Sequence, residues 1–245
     1  MGSREDWQRR LGPLYGGAVA LVRSTPWRWP TDVGHDDARS SAWVIAVGVP
    51  IGLAAWLVAV VIDGIGMSPA IAALFGLAVL TIASAAIIER GVAERIDDWQ
   101  GQVRSPGVTT VLTLVFVTIV RAFAILAIPP SRWLWVLLAV AVIGRWAGVF
   151  VQALGDPIAD DGVRRSLVAT PTPAWLTATI SLVVTIFATI ALGKLGIVVI
   201  GITAAAAFGL GLEAQRRDAG LSAPVVATAA AVGELVVLLF ATAGR

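Results

Sequence analysis

Glu89–Arg104, ERGVAERIDDWQGQVR, is the densest run of charge in the chain. It begins where one long apolar segment ends and stops just short of the next. How this run is read decides how the apolar segments connect. Glu94, Asp97 and Asp98 stand at i, i+3, i+4 spacing and share one face if the run is helical. Carboxylates grouped in this way at a membrane surface suit Mg²⁺, which takes oxygen ligands and usually shares them with substrate phosphate. The competing reading is a solvated loop, in which the Arg90–Glu94 and Glu94–Asp98 spacings only tune local charge.

Outward from this run the chain is mostly apolar. Of 245 residues, 58% are hydrophobic and 14% charged, and the mean hydropathy is +0.86. A soluble domain is nearer half apolar and a quarter charged, so composition points to an integral membrane protein with an all-α, polytopic helical bundle. Cysteine is absent, which removes disulfides, thiolate nucleophiles and Cys-based metal sites. His35 is the single histidine, so a His-dependent triad or His-rich metal site is not expected. The opening MGSREDWQRR is charged and lacks an apolar core, which argues against a cleavable signal peptide. A net charge of +2 does not argue for a nucleic-acid partner.

Residues 1–41 form a polar N-terminal segment, with residues 42–245 as the transmembrane helical domain. Within the first, Leu11–Val22 is too short to span and reads as an interfacial or partly inserted helix. Pro26, Trp27, Trp29 and Pro30 then read as an aromatic anchor in contact with lipid at headgroup level. Seven segments have the roughly 20 residues a spanning helix needs: Ala42–Ile62, Ser68–Ile88, Val108–Ile128, Trp133–Leu154, Ala174–Leu192, Leu195–Leu212 and Ala223–Thr242. Pro50 is expected to kink the first, and Gly193–Lys194 alone must make the turn before Leu195. If the N-terminus and alternate loops share one side, that side carries thirteen of the eighteen arginines and lysines. The positive-inside rule makes it cytoplasmic. Fourteen of the sixteen acidic residues lie there too, which marks it as the working surface.

Arg121, Arg145 and Glu234 fall inside the expected spans. A charge at a helix centre costs about 2.5–3.5 kcal/mol on insertion scales, so each should face the bundle interior and find a partner. Arg145 and Glu234 lie at similar depth from the charged side, which predicts an Arg145–Glu234 pair or a shared polar pocket. That arrangement serves either helix register or function. The second charged loop, GDPIADDGVRRSLV, offers Asp156, Asp160 and Asp161 as oxygen ligands and Arg164 and Arg165 as bidentate phosphate donors. The alternative there is a hydrated loop with two positive-inside arginines.

In several blocks the chain resembles the cobalamin synthase family, adenosylcobinamide-GDP ribazoletransferase. The blocks are Leu21–Pro30, LVRSTPWRWP; Ala38–Arg39–Ser40 leading to Pro50–Ile51–Gly52; Gly144–Arg145–Trp146 with the loop ending Gly162–Val163; and Gly233–Leu239, GELVVLL. Their order and spacing, and the total length, also fit. The resemblance implies a multi-pass enzyme of the inner membrane, with the N-terminus and charged loops cytoplasmic. Such an enzyme joins α-ribazole or its 5′-phosphate to adenosylcobinamide-GDP, releases GMP and uses Mg²⁺. In that chemistry metal and arginine neutralise the pyrophosphate while a sugar hydroxyl attacks phosphorus. The expected catalytic residues are Glu94, Asp97, Arg145 and Glu234. The expected metal ligands are Glu94, Asp97 and Asp98, and Arg104, Arg164 and Arg165 would bind substrate. Partners would be the corrinoid nucleotide and ribazole, with a homo-oligomer or a complex with other enzymes of the pathway both open.

The chain departs from the family pattern in its acidic motif. Registered on Gly91 and Ala93, the family's acidic positions become Arg90, Glu94 and Asp97. An Asp-Ser-Arg element leaves only Arg104, and a Thr-Gly-Asp element reads Ser222–Ala223–Pro224. A guanidinium cannot coordinate a metal, so Glu89, Asp98 or the Asp156–Asp161 loop would have to substitute. The alternative is a catalytically inactive paralogue that binds a corrinoid or scaffolds partner enzymes. A small transporter, with Arg121, Arg145 and Glu234 along its path, is the third reading. No inverted repeat supports it.

Overall fold

A computed structural model describes residues 4–26, 38–101, 106–158 and 171–243. The described residues form α1 (Arg4–Leu11), α2 (Tyr15–Ser24), α3 (Ala38–Gly64), α4 (Pro69–Ala83), α5 (Ile87–Gln100), α6 (Val108–Leu126), α7 (Trp133–Gln152), α8 (Ala174–Leu192), α9 (Leu195–Asp218) and α10 (Ala223–Ala243). Short 3₁₀ turns at Gly12–Leu14 and Pro130–Arg132 precede α2 and α7. The protein is an all-α polytopic membrane bundle. Six helices, α3 and α6 to α10, are each long and apolar enough to cross a membrane, and α4 with α5 makes a seventh span if the bent pair is counted as one.

α7 is the centre of the bundle. Apart from Arg145 and Gln152 it is apolar on every side, as a helix buried around most of its circumference is. Its most apolar window is 83% buried, against 22% for α6 and for α8. α3 and α10 cover it most extensively, through small residues that let backbones meet. A Cβ on Gly48 would stand 2.7 Å from the Ala141 carbonyl oxygen, and one on Gly52 2.8 Å from Leu138 Cα. α8 closes another side, where Trp146 Nε1 donates to Ser181 Oγ at 3.0 Å. The α8 hydroxyls of Thr179, Ser181, Thr185 and Thr189 each donate to the carbonyl four residues back. Each polar side chain is thereby satisfied without leaving its helix.

The N-terminal apolar piece is helical, and α2 docks on α3: Tyr15, Val19, Ala20 and Ser24 are buried, and Gly16 and Gly17 admit the Trp43 ring. Two expectations change. α9 continues to Asp218, so much of the expected 213–222 loop is helix. The larger change is in the second span. It is not continuous from Ser68 to Ile88. α4 stops at Ala83, α5 starts at Ile87, and the two are bent by 72°. The charged run up to Gln100 is therefore a helix, not a loop.

Backbone geometry explains the stop. Ala85 N–H donates to the Ile82 carbonyl at 2.9 Å and Ala86 N–H to the Thr81 carbonyl at 3.0 Å. This is the paired pattern of a Schellman C-cap. Glycine normally takes the left-handed position there, but Ala85 and Ala86 hold it at φ 52° and 51°. No glycine or proline between Gly76 and Gly91 marks the site in the sequence. By contrast, the α8–α9 turn falls where expected, with Gly193 at φ 66°.

The charged segments gather at one end of the bundle. Arg95 of α5 pairs with Glu213 and, at 2.5 Å, with Asp218 at the end of α9. Leu221 N–H donates to the Asp156 carbonyl at 2.9 Å, and Ile158 N–H donates to the Leu221 carbonyl at 3.1 Å. The second charged loop therefore starts against the α9–α10 corner, beside α5.

Candidate functional site

Five helices, α4 to α7 and α10, and the α4–α5 break meet at a buried polar cluster. Arg121 of α6 donates from Nη2 to Glu234 Oε2 of α10 at 2.7 Å and from Nη1 to Glu89 Oε1 of α5 at 2.9 Å. Thr81 Oγ1, on the other side of the bend, donates to the same Glu89 oxygen at 2.8 Å. Arg145 of α7 is wholly buried. It donates from Nη2 to Ser84 Oγ at 2.7 Å and from Nη1 to the Ala141 carbonyl at 2.9 Å. Two guanidinium groups and two carboxylates in one place offset charges that would each be costly alone in hydrocarbon.

The expected Arg145–Glu234 ion pair is thus replaced by Arg121–Glu234. Depth was read correctly, since Glu234 Cγ lies where a Cβ on Gly144 would be, 2.5 Å away. Depth does not say which way a side chain turns around the bundle. Arg145 turns to its own helix and to the break, while Arg121 reaches in from α6. The shared polar pocket is present, with Arg121 as the bridging residue.

A cleft of about 60 Å³ lies between α5 and α10 beside the α4–α5 break. Ala85, Ile87, Arg90, Gly91, Glu94, Ala223 and Ala227 line it. Gly91 permits this approach, because a Cβ there would stand 2.1 Å from Ala227 Cβ. Arg90 Nε donates to Glu94 Oε1 at 2.8 Å on the cleft wall. Arg90 is mostly exposed and Glu94 is about a quarter exposed, so the pair meets whatever enters.

Asp97 is placed differently. Its Oδ1 accepts the Gly107 N–H at 3.1 Å and the Thr110 hydroxyl at 2.5 Å. It thus satisfies a donor at the start of α6, as a capping side chain does. Asp98 lies one residue further along α5. Among the described residues no three of Asp, Glu, His and Cys gather closely enough to hold a metal ion. With one Glu94 oxygen on Arg90 and one Asp97 oxygen on α6, the described carboxylates do not by themselves fit a protein-held Mg²⁺. Arg104, Asp160, Asp161, Arg164 and Arg165 lie outside the described residues, as do Trp27, Trp29 and Pro30.

Sequence reasoning named Glu94, Arg145 and Glu234 as site residues and considered Glu89. It missed Thr81 and Ser84. Both read as ordinary small hydroxyls in an apolar helix, and only the unannounced bend gives them neighbours.

A buried ion cluster beneath a small cleft, at the charged end of a helical bundle, defines a polytopic membrane protein with an intramembrane polar site. The chain matches the cobalamin-5-phosphate synthase family over residues 18–242, nearly its whole length, and belongs to that family. Its place in cobalamin biosynthesis follows from that membership. Comparison with curated proteins and with solved structures gave no match.

Proposed function

We propose that the chain is the ribazole-transferring synthase: it joins α-ribazole or its 5′-phosphate to adenosylcobinamide-GDP and releases GMP. A ribose hydroxyl oxygen of the ribazole attacks the cobinamide-bound phosphorus. The bond from that phosphorus to the GMP oxygen breaks, and the hydroxyl proton is lost to a base. The α5–α10 cleft suits this chemistry. Arg90 supplies a positive charge on its wall for a pyrophosphate, and Glu94 is a carboxylate in the same wall for the departing proton. Arg121, Glu234 and Arg145 lie in the buried cluster and do not line the cleft. The carrying observation is that a chain matching the family over 18–242 sets Arg90 and Glu94 of α5 in a cleft against α10. That end is assigned to the cytoplasmic face of the inner membrane, where the nucleotide substrates would be supplied.

Complementation of a bacterial strain lacking its cobalamin synthase tests this reading. Growth dependent on cobalamin synthesis is expected with the native chain and is expected to fail with Glu94→Ala at equal membrane abundance. No growth with the native chain, well expressed, would overturn the assignment and favour a silent family member. Growth with Glu94→Ala intact would remove that residue from the site.

A further inference from the structure

We infer that Ser84 and Arg145 are positioning residues of the α5–α10 cleft: their hydrogen bond holds the α4–α5 break bent and so sets where Arg90 and Glu94 stand. This rests on the proposed function for its catalytic consequence, but its structural content stands alone.

The break is not one the local sequence favours. Two successive alanines occupy left-handed backbone at φ 52° and 51°, a conformation that costs on the order of 1–2 kcal/mol per non-glycine residue. Flanking segments PAIAALFGLAVLTIA and IIERGVAERIDDWQ are ordinary helix formers that would otherwise run on. Something outside the segment must offset the strain. Arg145 is the residue that reaches the break itself, through Ser84 Oγ at 2.7 Å. Thr81 and Glu89 then tie the two sides of the bend together at 2.8 Å.

Arg145 is fully buried, and its two hydrogen bonds go to the Ser84 hydroxyl and the Ala141 carbonyl, both inside the protein. It does not line the cleft, whereas Ala85, the residue after Ser84, does. A guanidinium so placed acts on the site through the bend, not on substrate. The lever is long. Glu94 lies seven residues beyond the start of α5 at Ile87, roughly 10 Å along the helix, so a change of about 10° in the bend would move it about 2 Å. Displacements of about 1 Å already cost on the order of a hundredfold in rate.

The absence of cysteine allows a clean distance measurement. Met67→Cys and Gln100→Cys place spin labels near the start of α4 and the end of α5, both exposed. In the full chain in liposomes, Ser84→Ala and Arg145→Gln are expected to shift or broaden the label-to-label distance, and Ser84→Thr to restore it. GMP release should fall about tenfold or more in kcat, with KM for both substrates within about twofold, as expected when orientation and not binding is lost. An unchanged distance in both variants would overturn the inference, and so would a changed distance with an unchanged kcat. If Arg145→Gln fails to insert, Ser84→Ala, which removes one hydroxyl, decides alone. If the native chain releases no GMP, the proposed function fails while the distance measurement still decides the bend.

Discussion

Two arginines in this bundle each bridge two carboxylates, and they do so in different surroundings. Arg121 joins Glu89 and Glu234 in the bundle interior, where the Glu234 side chain is 3% exposed. Arg95 joins Glu213 and Asp218 at the charged end, where those carboxylates are 36% and 27% exposed. The same chemistry should be worth different amounts. At the end of the bundle water can replace a lost partner, while in the interior a lost partner leaves an uncompensated charge. The interior cluster therefore commits the fold, and the outer one ties α5 to α9.

The largest effect should come from Arg121→Gln, which leaves Glu234, 3% exposed, without its ion-pair partner in a low-dielectric interior, while Glu89, 24% exposed, keeps the Thr81 hydroxyl. A loss of about 3–5 kcal/mol is expected from breaking such a buried pair, read by denaturant unfolding in detergent micelles. A loss no larger than that of the outer cluster would erase the distinction. Next, a double-mutant cycle between Arg121 and Glu234 should give a coupling in the range of about 0.5–3 kcal/mol found for residues in one ion-pair network. The same cycle between Arg145 and Glu234, which share no hydrogen bond, should give less; the reverse order would restore the pairing read from depth alone. The smallest effect should be Glu213→Gln. Arg95 keeps Asp218 and the Trp99 ring, 5.5 Å away, so a loss of about 0.2–1 kcal/mol is expected, diminishing as salt is raised.

The interior cluster was partly legible because a charge inside an apolar helix announces itself. Arg121, Arg145 and Glu234 each interrupt a run that otherwise suits lipid, and all three are found in the polar interior. Their partners were not legible, since helix depth gives one coordinate and pairing needs the rotation of each helix as well. Glu89 looked like the first residue of a surface loop because nothing in LTIASAAIIERG signals that a helix ends and another begins. Asp97 was singled out by its spacing from Glu94, and its contact with the start of α6 through one oxygen was not legible there. That contact closes a connection between two helices, which spacing along one helix cannot reveal.

By itself the sequence determined the class of solvent the chain folds in, most of the spans that cross it, and the end at which charge collects. These follow from period, length and the cost of polar groups in hydrocarbon, which act residue by residue. Only the tertiary structure decided that the second span breaks at Ser84–Ala86, that Arg121 and not Arg145 bridges to Glu234, and that α5 forms one wall of a cleft with α10. Those depend on side chains from separate helices meeting in one place, and a strained backbone persists only where such contacts hold it.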